Sequence, residues 1–333
     1  MTKIVTLGEV LLRLNAPSYE RLKETGMFER FIGGAEVNVS VALSQFGHEV
    51  SLVSALPPND VGENALAFLR KNQLDVSKVK SVEGRMGIYF VEEGYGSRPS
   101  KVTYDRSYSS FTNLTVEDFD WEEIFEGCSL FYVSGITPAL SPVAKAITLE
   151  ACKEAERNGI TVCFDCNYRS KLWSQSEAKE AFEEIFPYVD ICFAGMKDFE
   201  YTLGYGDSPS FDRERLRYYY EKASERYGIS VFACTDRHVM DGQQHRLQGF
   251  LYKDGSLHET SPHTFKVLDR IGGGDSFASG VIHGNLKNYD NQEILEFGLG
   301  ASILKHTVKG DHFSFTEADV TDLVQSQTVD VAR

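Results

Sequence analysis

The chain has 333 residues, 42% of them hydrophobic and 25% charged, a composition that excludes disorder and allows one extensive core with an appendage. Its formal net charge of −15, with no Lys/Arg stripe interleaved with aromatics, argues against a nucleic-acid or anionic-membrane surface, so an anionic ligand must be held by local donors. The opening MTKIVTLGEVLLRL reads as a first strand and not an export signal, and no apolar run has membrane-spanning length; the expected location is the cytoplasm.

In chain order, KIVTLG from Lys3 has the β-branched content of a buried parallel strand. Residues 13–32 then show strand-like runs and turns but no helical period. FIGGAEVNVSVALSQFG places Gly33 and Gly34 at a strand-to-helix corner, with Asn38 just inside the helix. VSLVSAL from Val50 is a second sheet strand, followed by the helix VGENALAFLRKN. Residues 84–106, including MGIYFVEEG and SKVTYDR, again alternate without a helix. Apolar strands then recur at SLFYVSG, ITVCFD, VDICFAG and ISVFACT. Between them lie the helix PVAKAITLEACKEAERNG and a long one over residues 212–227, with C-capping glycines at Gly159 and Gly228 as at Gly47. An edge pair around HRLQGFLYKDGSLHET precedes helices expected from Asp275 to about Leu286, from Gln292 to Thr307, and from Thr316.

This alternation predicts an α/β fold with helices on both faces of a mostly parallel sheet. The two helix-free segments, 13–32 and 84–106, are expected to pair into a small antiparallel sheet inserted in one large domain that spans residues 1–333. Such a sheet suits a lid over a pocket or a dimer contact, although decorative hairpins would read the same way. Of the six cysteines, Cys163 and Cys166 have C-x-x-C spacing, but no second pair completes a zinc site, and packing by reduced thiols accounts for them.

The segment IGGGDSFASG, residues 271–280, carries the most chemistry. Successive glycines let backbone N–H groups close on an anion, and the following helix adds a positive dipole end. Asp275 stands at the mouth of that cradle, where a carboxylate can take a proton from a hydroxyl that attacks phosphorus. Alone, such a run is also compatible with a plain tight turn. The paired glycines at 33–34 have the same ambiguity, while Asn38 offers the donor and acceptor that read a sugar hydroxyl.

Together, GGAEVNVSVALSQFG and DRIGGGDSFASG resemble the two signatures of the ribokinase-like (PfkB) carbohydrate kinases, and the likeness extends to the GDH at residues 310–312. Within that family, DRIGGGD in place of the commoner D-T-x-G-A-G-D, with SKVTYDR and FDCNYRSKLW, is similar to the 2-keto-3-deoxygluconate kinases. The resemblance implies a ribokinase-like three-layer fold with a small β-sheet lid, ATP as donor, Mg²⁺, and a homo-oligomer formed through the lid. It implies that Asp275 is the proton acceptor and that Gly272, Gly273 and Gly274 form the anion hole. Gly34, Tyr89, Tyr104, Arg106 and Arg169 match substrate-contact positions, beside Asn38. Asn167, Thr235 and Arg237 fall on the nucleotide side, with Gly272 and Gly274. Two arginines exceed the needs of a neutral sugar and suit a sugar acid, although each alone would pass for a surface charge.

Two departures stand out. Where relatives carry N-x-x-E, this chain has GMKD, leaving Asp198 as the candidate metal carboxylate with a shorter reach. The expected nucleotide loop TDRHVMDGQQ has Arg237 in place of a glycine. The competing readings are a kinase for another small sugar, such as fructose or ribose, and a sugar-acid sensor that has lost turnover. A nicotinamide enzyme is disfavoured, because no G-x-G-x-x-G follows the first strand.

Overall fold

The computed structural model describes residues 2–206, 210–241 and 243–325. Among them the strands are β1 (Lys3–Leu7), β2 (Leu11–Asn15), β3 (Glu29–Gly33), β4 (Glu49–Leu56), β5 (Val79–Ser81), β6 (Gly87–Glu92), β7 (Lys101–Asp105), β8 (Leu130–Ser134), β9 (Thr161–Asp165), β10 (Ile191–Phe193), β11 (Val231–Val239), β12 (Gln244–Lys253), β13 (Ser256–Glu259) and β14 (His263–Lys266). The helices are α1 (Ala35–Gln45), α2 (Asp60–Lys71), α3 (Trp121–Ile124), α4 (Pro142–Arg157), α5 (Gln175–Ile185), α6 (Arg213–Tyr227), α7 (Gly273–Leu286), α8 (Asn291–Lys305) and α9 (Glu317–Gln325).

A ten-stranded sheet runs β13-β12-β11-β10-β9-β8-β1-β4-β5, with β14 also on β12, and is parallel from β11 to β5. Its strands are buried on both faces, so alternate side chains enter different cores. Val5, Phe131, Phe164, Cys192 and Phe232 pack with α4, α5 and α6. Ile4, Tyr132, Cys163, Ile191 and Ala233 pack with α1, α2, α7 and α8. The three layers follow directly from that period of two. The alternation also separates Cys163 from Cys166, whose nearest thiol is instead Cys192, at 4.0 Å; all six cysteines are free.

The inserted segments form a second sheet, ordered β3-β2-β6-β7. The expectation of a wholly antiparallel sheet needs correction: the outer pairs are antiparallel, but β2 and β6 run parallel. They come from different insertions and need no hairpin to join them. Residues 3–33 thereby supply strands to both sheets, and α5, opened by a Ser174–Glu177 capping box, is an element the chain-order reading omits.

Register places Phe31, Arg13, Tyr89 and Tyr104 side by side across the four strands of the small sheet. Arg13 is wholly buried, with its guanidinium 5.2 Å from the Phe31 ring centre. Its Nη1 lies 2.7 Å from Asp269 and 2.8 Å from Asp311, and Tyr89 donates its hydroxyl to Asp311. Burial alone would weaken the guanidinium as a base, but the two carboxylates outweigh it and hold Arg13 charged. Asp269 in turn accepts from the backbone N–H of Ile271 and Gly310, both at 3.1 Å. Small sheet and glycine segment are therefore tied by one buried ionic network.

Removing one member of a buried ionic cluster strands the others, at about 3–5 kcal/mol. Arg13→Ala is expected to lose stability of that order in chemical denaturation; a loss below about 1 kcal/mol, the value of an exposed pair, would show that the network is not structural.

Candidate active site

Asp275, in the first turn of α7, acts electrostatically on Asp165, the last residue of β9, so the carboxyl end of a parallel strand, where open α/β sheets build their sites, adjoins the α7 N-terminus. Gly272 caps it with φ 84°, a left-handed conformation, and a side chain there would strike the Asp311 carbonyl. Gly273 and Gly274 form the first helical turn, so the helix starts two residues earlier than expected. A Cβ on Gly273 would collide with the His306 ring, whereas Gly274 meets nothing within 4 Å and faces open space. The result is a helix end whose amides can be approached by an anion.

Asp275 follows within the same turn and is half-buried. Its Oδ2 accepts from Asn38 Nδ2 at 2.7 Å. Burial pushes the carboxyl up to about 6, with the charges of Glu36 and Asp311 adding to the rise and the Asn38 bond and Arg169 opposing it. That is a much better base for neutral pH than an ordinary aspartate. Asn38 is thus first a partner of the candidate base; its Oδ1 is buried without a partner and remains available to a ligand hydroxyl.

Asp165 feels the charges of both Asp275 and Asp198. Burial, then the charges of Asp275 and Asp198, raises the Asp165 carboxyl well above the usual range. Burial also pushes Asp198 up to about 6, against its bond from the Gly195 N–H at 2.8 Å and the Arg169 charge. Arg169 is exposed and lowers all three, so it belongs to this cluster. Asn167 follows β9 at φ 38°, and its N–H donates to Asp165 Oδ1 at 3.1 Å. Asp198 opens a π-helical turn, Asp198–Leu203, a local irregularity frequent at functional sites.

On the small-sheet side the expectations need revision. Arg106, 8% exposed, is neutralised by Glu9, which accepts from its Nε at 2.8 Å and from its Nη2. It is therefore not a free cation awaiting an acid group. Tyr89 likewise has its hydroxyl committed to Asp311 and offers only its ring, which sits 5.8 Å from that of Tyr104. Tyr104 is 38% exposed and the better placed to cover a ligand. Gly34, with φ 130°, leaves no room for a side chain against the Glu9 carbonyl. Glu9 keeps a buried Oε1 without a partner.

The nucleotide side differs in form. The segment expected as a loop continues β11: Thr235 pairs with Gly249 and Arg237 with Leu247 of β12. Among the described residues, Met240, Asp241 and Gln243 lie between β11 and β12, and Gly242 lies outside the described residues. Sequence reasoning also passed over Glu9, Glu36, Arg13, Asp269 and Asp311. Glu36 is buried and accepts from Ser134 N–H at 3.0 Å, Ser134 Oγ at 2.6 Å and Thr137 Oγ1 at 2.9 Å, tying α1 to the end of β8. Its position two residues after Gly34, inside the GGAEVN motif, was the available signal.

A glycine-lined helix terminus, a raised aspartate and a small sheet attached by buried charges define an α/β enzyme of phosphoryl transfer to an alcohol. Residues 1–318 match the pfkB family carbohydrate kinase model, and the chain belongs to that family of carbohydrate kinases, with its ribokinase-like fold. It is 32% identical over 332 residues to the 2-dehydro-3-deoxygalactonokinase of Haloferax volcanii, covering 99% of each chain. Among solved structures it is similar to 2-dehydro-3-deoxygluconokinase from Thermotoga maritima, with a TM-score of 0.95, 35% identity, and 98% and 100% of the two chains covered. A putative 2-keto-3-deoxygluconate kinase from Enterococcus faecalis gives 0.94 at 30% identity, with 100% and 99% covered. No helix among the described residues is long and apolar enough to cross a membrane.

A base must be ionised to accept a proton, so kcat/KM for the sugar should fall as pH drops through about 6, the Asp275 value. Asn38→Ala removes an interaction that favours the ionised form and should move this acid limb to higher pH. A pH–rate profile of both proteins checks it, and an unmoved limb in the variant would separate Asn38 from the base.

Proposed function

We propose that the protein transfers the terminal phosphoryl group of ATP to the terminal hydroxyl of a 2-keto-3-deoxy sugar acid, 2-keto-3-deoxy-D-gluconate first, giving the 6-phosphate. The observation that carries this reading is Asp275, raised toward neutrality, at the first turn of a glycine-opened helix. The names of the relatives support the substrate class.

The sugar binds between the small sheet and the main body, with Tyr104 over it and Arg169 near its acid group. Asn38 Oδ1 and Glu9 Oε1, buried acceptors without partners, suit a ligand rich in hydroxyl donors. The amides of Gly272, Gly273 and Gly274 receive the transferring phosphoryl oxygens, with Thr235 and Asn167 on the nucleotide side. The terminal O–H gives its proton to Asp275 as its oxygen bonds to phosphorus; the bond from phosphorus to the bridging oxygen breaks and ADP leaves.

A divalent cation fits this chain. The charges of Asp275 and Asp198 disfavour ionisation of Asp165, burial raises all three carboxyls, and Arg169 is the cation opposing the rise. Among the described residues no group of three or more His, Cys, Asp or Glu side chains could hold a metal by itself, as suits Mg²⁺, which binds through one or two carboxylates plus phosphates. Asp198, with Asp165 behind it, would hold the ion, which when bound neutralises phosphate charge.

One observation favours the neutral-sugar alternative: Arg106 is already paired with Glu9. ADP-release assays on 2-keto-3-deoxygluconate, its galacto epimer, fructose and ribose decide. A charge-assisted bond to the acid group is worth about 1.5–3 kcal/mol, so the acids should lead in kcat/KM by about tenfold to a hundredfold; equal values would favour a neutral sugar. Asp275→Asn should cut kcat by about 10²–10⁴ while ATP binding persists, and retention of most turnover would remove Asp275 as the base.

We also propose self-association through the outer face of the small sheet, where Leu12, Leu14, Ile88 and Phe90 are half-buried and Met27 and Phe28 exposed. Phe90→Asp should lower the mass seen by sedimentation to that of one chain, whereas a wild-type protein sedimenting as a monomer would refute the contact.

A further inference from the structure

We propose that Arg237 and Arg270 together form a two-guanidinium clamp for the phosphate chain of the nucleoside triphosphate donor, at the side of the α7 N-terminus away from the sugar. This rests on the kinase reading above and adds Arg270, to which the family resemblance gave no role.

Strand register gives the first half of the argument. Side chains alternate along β11, so Thr235 and Arg237 share a face with their opposite numbers Gly249 and Leu247 on β12, and with His245. That face looks toward α7 and α8: a Cβ on Gly249 would lie 3.0 Å from Leu295 and 3.5 Å from Phe277. The His245 ring is 6.5 Å from that of His306, and the His306 ring is the one packed against Gly273. The hairpin face bearing Arg237 therefore adjoins the helix terminus.

Arg270 reaches the same place from the other direction. Its predecessor Asp269 is pinned by Arg13, and the backbone N–H groups of Leu268 and Asp269 both donate to the His306 carbonyl, at 2.8 and 3.3 Å. The chain is thus held rigidly up to the residue that enters the glycine turn. Arg270 occupies the position of the threonine in the family's commoner D-T-x-G-A-G-D form, and Arg237 the position of a glycine in the nucleotide segment. These two arginines come close enough in space for the charge of one to act on the other.

Their electrostatics point to a missing anion. Burial and then the Arg270 charge lower the Arg237 guanidinium, and burial followed by both arginines lowers the neighbouring His245. Among the described residues neither guanidinium has a carboxylate within ion-pair distance, unlike Arg13 and Arg106, and His245 Nδ1 is buried without a partner. Both arginines are exposed, and two like charges held near each other without a counterion are unfavourable. A polyphosphate supplies the counterion, and the planar guanidinium fork matches phosphate oxygens.

Calorimetric titration of ADP with Mg²⁺, without sugar, provides a readout independent of turnover. Arg237→Ala and Arg270→Ala are each expected to weaken ADP by about tenfold, the loss for one charge-assisted bond, and to raise the KM for ATP similarly, with the sugar KM within about twofold. Arg270→Lys keeps the charge but not the fork and should fall between. Unchanged ADP affinity in both alanine variants, in protein with a wild-type melting temperature, would overturn the clamp while leaving the kinase reading intact; so would a shift confined to the sugar KM. A wild-type protein that binds no ADP and turns over no ATP would overturn both.

Discussion

The active end of this molecule depends on a charge with no access to water. Arg13 lies on a strand of the small sheet, yet its guanidinium is held between Asp269 and Asp311, which flank the glycine turn in sequence and in space. Lys305 is buried beneath the same turn, its ammonium disfavoured by burial and supported by those two carboxylates. Two cations and two anions in a dry site compensate one another, and the Asp269 carboxylate also accepts from the N–H groups of Ile271 and Gly310. The geometry of the anion hole is thereby a property of the network, since Gly272 is pressed against the Asp311 carbonyl and has no freedom to drift.

The site combines two opposite electrostatic conditions a few residues apart. Around Asp275 negative charge is in excess, and burial keeps the carboxyls basic; around Arg237 and Arg270 positive charge is in excess. A neutral ligand would satisfy neither side. A ligand pair consisting of a hydroxyl donor and a polyphosphate satisfies both, which is why electrostatics and hydrogen-bond deficits converge on phosphoryl transfer.

What could be read from sequence follows the range of the forces involved. Parallel strands announce themselves by apolar runs such as SLFYVSG and ITVCFD, and the two glycine motifs mark their own turns. Helix α5 also had a legible start in Ser174–Glu177, although its polar composition concealed it. The strand through TDRHV was hidden because it lies near the edge, where β-pairing tolerates polar residues on its exposed part. The partners of Arg106 and Tyr89 could not be foreseen, because Glu9 and Asp311 are 97 and 222 residues away. Glu36 and Arg13 would pass for surface charges in any local reading; only long-range packing makes them interior.

The bond between Arg13 and Asp311 spans 298 positions of the chain. During synthesis Arg13 emerges long before its counterions, so until then the small sheet contains a cation with nothing to neutralise it. Closure of so long a loop is entropically slow and precedes any reward from the contacts it permits. Catalytic competence is consequently a cooperative acquisition: a ribosome-bound fragment can form strands and helices of the body, but the phosphate receptor exists only once these two distant segments have met.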